Sequence, residues 1–297
     1  MADSGGRERG TAVVDIGPIT VRAWADGGVT RQRAAVLRTR EGLAYGDEAA
    51  RRSGTDLGAY ESALPSALDE EYTALGDALF RTVELFRGLL LHVLSAVSVD
   101  ADVPGRAGGA ARDGRRCVPA RIVLVLPAQW GTIRRGVVER AAAALADDVL
   151  TVGSTWAAVA AAEAEGQIRP GGTVGVVEQW PDCTVSSVVD RPPQRGPVAG
   201  GRRIPGGDQD RPPEHRRAVH GAGVVLGRAG ATELHDVAGL LRGLAGLNGG
   251  VAPDAVIAVP RAGWEFDRAV GAASGARILC TDGDAPLRGA VLLARGL

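Results

Sequence analysis

The chain has 297 residues, 45% of them hydrophobic, which is enough to bury a large core and to divide into two lobes. Its formal net charge is −1, which excludes a general electrostatic attraction to nucleic acid or acidic membranes. All 34 Lys+Arg residues are arginine, so P-loop lysine, Schiff-base and catalytic-ammonium chemistry are excluded as well.

In chain order, "MADSGGRERG" is polar and without an apolar core, which predicts a disordered start over residues 1–10 and no signal peptide. Thr11 to Leu37 alternates and turns twice, as a three-stranded meander does, and "YGDEAARR" begins a short helix. From Tyr72 to Val99 apolar residues recur at helical spacing (Leu75, Leu79, Val83, Phe86, Leu90, Leu94, Val97), predicting one amphipathic helix. Its greasiest run, Gly88 to Val99, is too short to span a bilayer and stops at Asp100. A Gly/Ala/Arg loop over Val103 to Arg116 leads into "RIVLVLPA", a buried strand. Thr132 is then the expected N-cap of a helix carrying Arg134 to Leu145. "VLTVGSTWAAVAAAEAEG" adds a short strand and an Ala-rich helix closed by Gly166, completing a first lobe over 11–170.

At Arg169 to Gly172 the pattern resets, and 171–297 reads as a second lobe. A second meander begins with Thr173 to Val189. Arg191 to Arg217 has seven arginines, three acidic residues and no apolar periodicity, which predicts a flexible solvated loop; docking of an anion or a partner is the sharper reading. "ATELHDVAGLLRGLAG" reads as a helix, "DAVIAVP" as a buried strand, Trp264 to Ser274 as a helix, "ARILC" as a strand and Pro286 to Leu293 as a closing helix. Cys117, Cys183 and Cys280 lie far apart with no C-x-x-C, which fits a reducing cytoplasm. His215, His220 and His235 lack an acid or cysteine at ligand spacing and read as surface residues. "GAGVVLG" (Gly221 to Gly227) has the wrong spacing for a dinucleotide fingerprint.

The order of elements, with four local segments, resembles the nucleotide-binding domain of DnaK-type heat-shock chaperones, within the actin-like ATPase superfamily. The segments are "IVLVLPAQWGTIRRGVVERAAAAL" with its Arg135, "VGSTWAAVAAA", "YGDEAARR" and "DAPLRGAVLLA". The resemblance implies an α/β, two-lobed actin-like ATPase fold with a duplicated β-meander plus α/β plan; the length remaining after Thr173 leads to the expectation of a reduced second lobe with no peptide-binding domain after it. The resemblance further implies a nucleotide held between two glycine-rich hairpins whose backbone N–H groups face the phosphates.

Carried over residue by residue, that site is degenerate. In the first hairpin Asp15 and Gly17 match, but Pro18 and Ile19 replace two threonines, removing an N–H donor and a hydroxyl. In the second, "VVEQWPDCTVSSVV", Glu178 replaces an Asp, Trp180-Pro181-Asp182 replace three glycines and Cys183 replaces a Thr. Pro260-Arg261 stand for a Gly-Gly pair against adenosine, Trp264 for an arginine, and Gly153 for a magnesium-supporting Glu. The expectation is therefore a pseudo-ATPase with no cofactor and no metal, ATP with magnesium being the alternative. It would be a cytoplasmic scaffold that binds a protein partner, with no nucleic acid and no membrane insertion. Among degenerate relatives it resembles the actinobacterial type VII secretion-associated proteins. The alternatives are an ATP-dependent chaperone-like regulator and a polymerising actin-like assembly protein.

Overall fold

The computed structural model of the chain describes residues 10–55, 57–100, 119–169, 171–180, 184–191, 217–218, 224–231, 237–261 and 277–295. The first stretch forms β1 (Thr11–Ile16), β2 (Thr20–Ala25), β3 (Gly28–Arg33), β4 (Val36–Thr39), β5 (Gly42–Tyr45), α1 (Gly46–Arg52) and β6 (Tyr60–Glu61). A hairpin, β7 (Tyr72–Leu75) and β8 (Ala78–Arg81), leads into α2 (Thr82–Asp100). After it come β9 (Arg121–Leu126), α3 (Thr132–Ala143), β10 (Asp148–Gly153) and α4 (Ser154–Ala164). The remainder holds β11 (Gly172–Gln179), β12 (Thr184–Arg191), β13 (Arg217–Ala218), β14 (Val224–Ala231), α5 (Val237–Leu247), β15 (Ala255–Pro260), β16 (Ile278–Cys280) and α6 (Ala285–Arg295).

Two mixed sheets dominate this α/β fold, and both are wired alike. The first runs β13-β10-β9-β1-β2-β3 and the second β14-β12-β11-β15-β16. In each, three strands form an antiparallel meander whose first member then pairs in parallel with a later strand, β1 with β9 and β11 with β15. A fifth strand, β10 or β16, adds in parallel beyond that. The inner strands are covered on both faces, which is why "IVLVL" reads as a continuous apolar run and "AVVDI" as one broken only at Asp15. The β2–β3 connection is the two-residue Asp26-Gly27, with φ of 49° and 87°, the backbone a type I′ hairpin turn needs.

Alternation along each strand decides which layer a residue meets. Val14 and Ile16 of β1 face α2 and α3, packing among Phe86, Leu90 and Val138. Val13, one residue out of phase, faces the other way, with Leu287 and Ala290 of α6 and Ala157 of α4. In the second sheet Val174 and Val176 face Ala158 and Ala162 of α4, while Val177 faces Leu244 of α5. So α4 and α6 lie side by side between the two sheets. Their approach is very close: a Cβ on Gly289 would sit 1.7 Å from the Ala157 carbonyl oxygen.

Several expectations need correction. Tyr72 to Val99 is not one helix, because Gly76 adopts φ +66° and turns the chain, so that Tyr72–Arg81 pairs as a hairpin before α2 begins. The same apolar residues satisfied a helical spacing and a two-residue alternation, and the glycine decides between them. Thr132 is the first helical residue of α3, preceded by Gly131 as N-cap, with no side-chain cap. The second meander takes its third strand from β14, so Val224 to Gly227 of the glycine motif is strand. Residues 1–9, 101–118, 192–216 and 262–276 lie outside the described residues, and with them the expected N-terminal disorder, the loop of 103–116, most of the 191–217 loop and the helix of 264–274. At the borders of the 191–217 stretch, Arg191 closes β12 with its guanidinium on Glu163 and the Gly171 carbonyl, and Arg217 pairs with Leu150 at the edge of the first sheet. Among the described residues no helix is long and apolar enough to cross a membrane.

Candidate functional site

Asp15 is the last-but-one residue of β1 and shares a face with Val13, so the alternation that builds the first sheet points its carboxylate toward the second. Glu178 is the last-but-one residue of β11 and shares a face with Val176, pointing toward α4. Arg261 directly follows β15, fixed there by its N–H donating to the Gln179 carbonyl at 2.9 Å. The ends of three strands from two sheets thus bring three charged side chains together, each at most 1% exposed.

Arg261 donates Nη1 to Asp15 Oδ2 at 2.8 Å and Nη2 to Asp15 Oδ1 at 2.6 Å, a fork-on-fork pair, and Nη2 also reaches the Ile16 carbonyl at 3.2 Å. Arg22, which sits opposite Asp15 in the β1–β2 register, donates Nη1 to Asp15 Oδ2 at 3.4 Å. Arg22 Nε lies 2.6 Å from a carboxylate oxygen of Asp284, just before α6. The Trp180 ring is buried with Ala128 and Val185, and the Arg261 guanidinium carbon stands 5.4 Å from its centroid, within cation–π range.

Glu178 is served less well. Its Oε2 accepts from Ser154 Oγ at 2.9 Å, while Oε1 faces Arg261 Nε at 3.9 Å, too far for a hydrogen bond. Neither Glu178 Oε1 nor Arg261 Nε has a hydrogen-bond partner. Burial pushes the Glu178 carboxyl above its ordinary 4.5, and the nearby Arg261 and Ser154 only partly oppose that. Burial works against the Arg261 charge too, but the Asp15 carboxylate and its hydrogen bonds, with Glu178, hold the guanidinium above its usual value. Burial lowers Arg22, with Asp15 opposing.

The sequence-derived site residues distribute as follows. Asp15, Glu178, Trp180 and Arg261 converge, with Pro260 ending the strand that carries Arg261. Gly17 turns the β1–β2 hairpin: its N–H donates to the Thr20 carbonyl at 2.9 Å, and a Cβ there would stand 2.8 Å from the same oxygen. Pro18 is half-buried in that turn and Ile19 is 42% exposed. Gly153 is the N-cap of α4, one residue before Ser154. Pro181, Asp182, Cys183 and Trp264 lie outside the described residues. Arg22, Ser154 and Asp284 were missed. Arg22 had a signal: it interrupts the apolar strand "TVRAWA" at the position that the Gly17 turn sets opposite Asp15.

Chemically, the site is an ion-pair cluster whose cations and anions neutralise one another. Among the described residues no group of three or more His, Cys, Asp or Glu could hold a metal ion. No family model matches the chain, and no curated protein matches it.

Proposed function

We propose that this chain is a catalytically inactive, chaperone-like pseudo-ATPase on a two-lobed actin-like fold, acting as a scaffold that binds a protein partner. The observation that carries the reading is the fully buried, two-pronged pair of Arg261 with Asp15. In the family that the sequence resembles, the corresponding hairpin ends face the phosphates and magnesium of a nucleotide. Here the end of β1 faces a guanidinium from the chain itself. The strand order repeated in the two sheets supports the duplicated plan.

A nucleotide seated there would displace Arg261 and set phosphate against two buried carboxylates. One such contact at about 4 Å costs roughly 4 kcal/mol at an effective dielectric of 20, about a thousandfold in affinity. The scaffold role follows from a fold that keeps its core while its ligand slot is filled. Resemblance of sequence supports a cytoplasmic partner in a type VII secretion apparatus, and a pull-down from the native cytoplasm identifies it.

The test is Mg-ATP at millimolar concentration added to the full chain. Tryptophan emission and melting temperature should stay unchanged and no phosphate should be released. Saturable quenching with a micromolar midpoint would replace this reading with the ATP-dependent regulator. Light scattering that grows with protein concentration would favour the polymerising assembly protein.

A further inference from the structure

We propose that Glu178 is the proton-operated release of a latch between the two sheets: neutral, it leaves Arg261 wholly to Asp15; ionised, it draws the same guanidinium back toward its own sheet. The geometry already holds the two partners apart in this way. Asp15 belongs to the first sheet, while Arg261 and Glu178 both belong to the second. The guanidinium is therefore a crossing tie when it rests on Asp15 and an internal tie when it rests on Glu178. Its two Nη atoms are committed to Asp15, and its Nε lies 3.9 Å from Glu178 Oε1 with neither atom hydrogen-bonded. A small rotation of one planar group exchanges the partners.

Among the described residues, four elements set that balance. From β1, Asp15 repels its charge. From α4, Ser154 donates a hydroxyl to it, favouring the ionised form, while the Thr155 hydroxyl beside Ser154 in the chain makes no hydrogen bond. From the end of β15, Arg261 is the one nearby cation among the described residues. Behind Asp15, Arg22 of β2 is answered by Asp284 before α6. With Glu178 neutral, Arg22 and Arg261 match Asp15 and Asp284. With Glu178 ionised, a second buried carboxylate competes with Asp15 for the Arg261 guanidinium, since Arg22 is already paired with Asp15 and the half-exposed Asp284. Burial of the group accordingly favours its protonated form. The close α4–α6 crossing at Gly289 and Ala157 keeps the sheets joined when the latch slackens.

The sign follows from linkage. A carboxyl raised in the folded state stabilises that state at and below its unfolded value of 4.5, and the stabilisation is lost as pH rises through the folded value. The latch is thus closed below the folded midpoint of Glu178 and slackens as pH rises through it. Nothing in the device requires that a nucleotide be absent or present, so it stands or falls apart from the pseudo-ATPase reading.

The experiment is hydrogen exchange by mass spectrometry on the full chain from pH 4.5 to about 9, corrected for the intrinsic rate, with melting temperatures alongside. The amides at the ends of β1 and β11 should open about tenfold more for each pH unit between the unfolded and folded midpoints of Glu178. In Glu178→Gln that pH dependence should vanish, with both ends staying protected throughout. Ser154→Ala should move the transition to higher pH, because it removes a donor that favours the charged form; this variant also serves if Glu178→Gln does not fold. A flat wild-type profile, an undiminished transition in Glu178→Gln, or an unmoved one in Ser154→Ala would overturn the proposal.

Discussion

Asp15 and Glu178 hold the same place in the two sheets. Each is the last-but-one residue of an inner strand that is antiparallel to its hairpin partner on one side and parallel to a later strand on the other. The cross-strand neighbours differ. Opposite Asp15 the second strand supplies Arg22, whereas opposite Glu178 it supplies Val185. The first carboxylate therefore has a cation beside it before Arg261 arrives, and takes both prongs when it does. The second is left with a hydroxyl and a long contact. Matching positions in a repeated topology have one charge that is fastened and one that is tolerated, and the difference lies in a single neighbour rather than in the backbone.

The largest expected effect comes from removing the fastener. Arg261→Ala leaves Asp15 buried with only the distant prong of Arg22, and losing one member of a buried pair costs about 3–5 kcal/mol. Chemical denaturation should show that loss, and Asp15→Asn in the same background should recover part of it, because it removes the stranded charge. Trp180→Ala tests the side chain that backs Arg261: truncating a buried aromatic typically costs about 3–5 kcal/mol, with the indole stack on the guanidinium lost as well. Gly289→Ala acts at the helix crossing between the sheets instead. A Cβ 1.7 Å from a backbone oxygen cannot be accommodated by a rotamer change, so α4 and α6 must part, at about 1–3 kcal/mol or more. Calorimetry should show a lower melting temperature with both carboxylates equally affected.

The smallest effect has the opposite sign. Glu178→Gln keeps the shape and removes the competing charge, so it should raise the melting temperature at alkaline pH and leave it unchanged near pH 4.5, where the wild-type side chain is already neutral. A stabilisation that persists undiminished at acid pH would mean that packing, not charge, explains it.

Much of the fold was legible because the strands that flank the site are short, β-branched and bounded by turn residues. Thr11 to Arg33 and Arg121 to Leu126 declare themselves by alternation, by Asp26-Gly27 and by an unbroken apolar run. Tyr72 to Arg81 did not, because Leu75 and Leu79 fit both a helix and a hairpin, and only the backbone of Gly76 separates the two. In the site, the spacing of Asp15 and Glu178 from their hairpin turns was readable. The role of Arg261 was not: beside Pro260 it reads as a lost glycine, and its partner is 246 residues away. A local pattern cannot announce a pair that only the tertiary fold creates. Arg22 was within reach, since the hairpin register alone sets it against Asp15.

That separation also has a history in time. With synthesis at about 5–20 residues per second, Arg261 leaves the ribosome roughly 12–50 s after Asp15, given the 246 residues between them. Through that interval the underside of the first sheet, Val13, Val123, Val125 and Val152, also waits for Leu287, Ala290 and Val291 of α6. A nascent chain that has not yet reached α6 therefore carries a greasy patch, with a half-neutralised carboxylate at its rim until Arg261 arrives. The buried charge of Asp15 and the apolar underside of the first sheet are thus both settled by residues made 246 or more positions after Asp15, so the two are concealed late in synthesis and together.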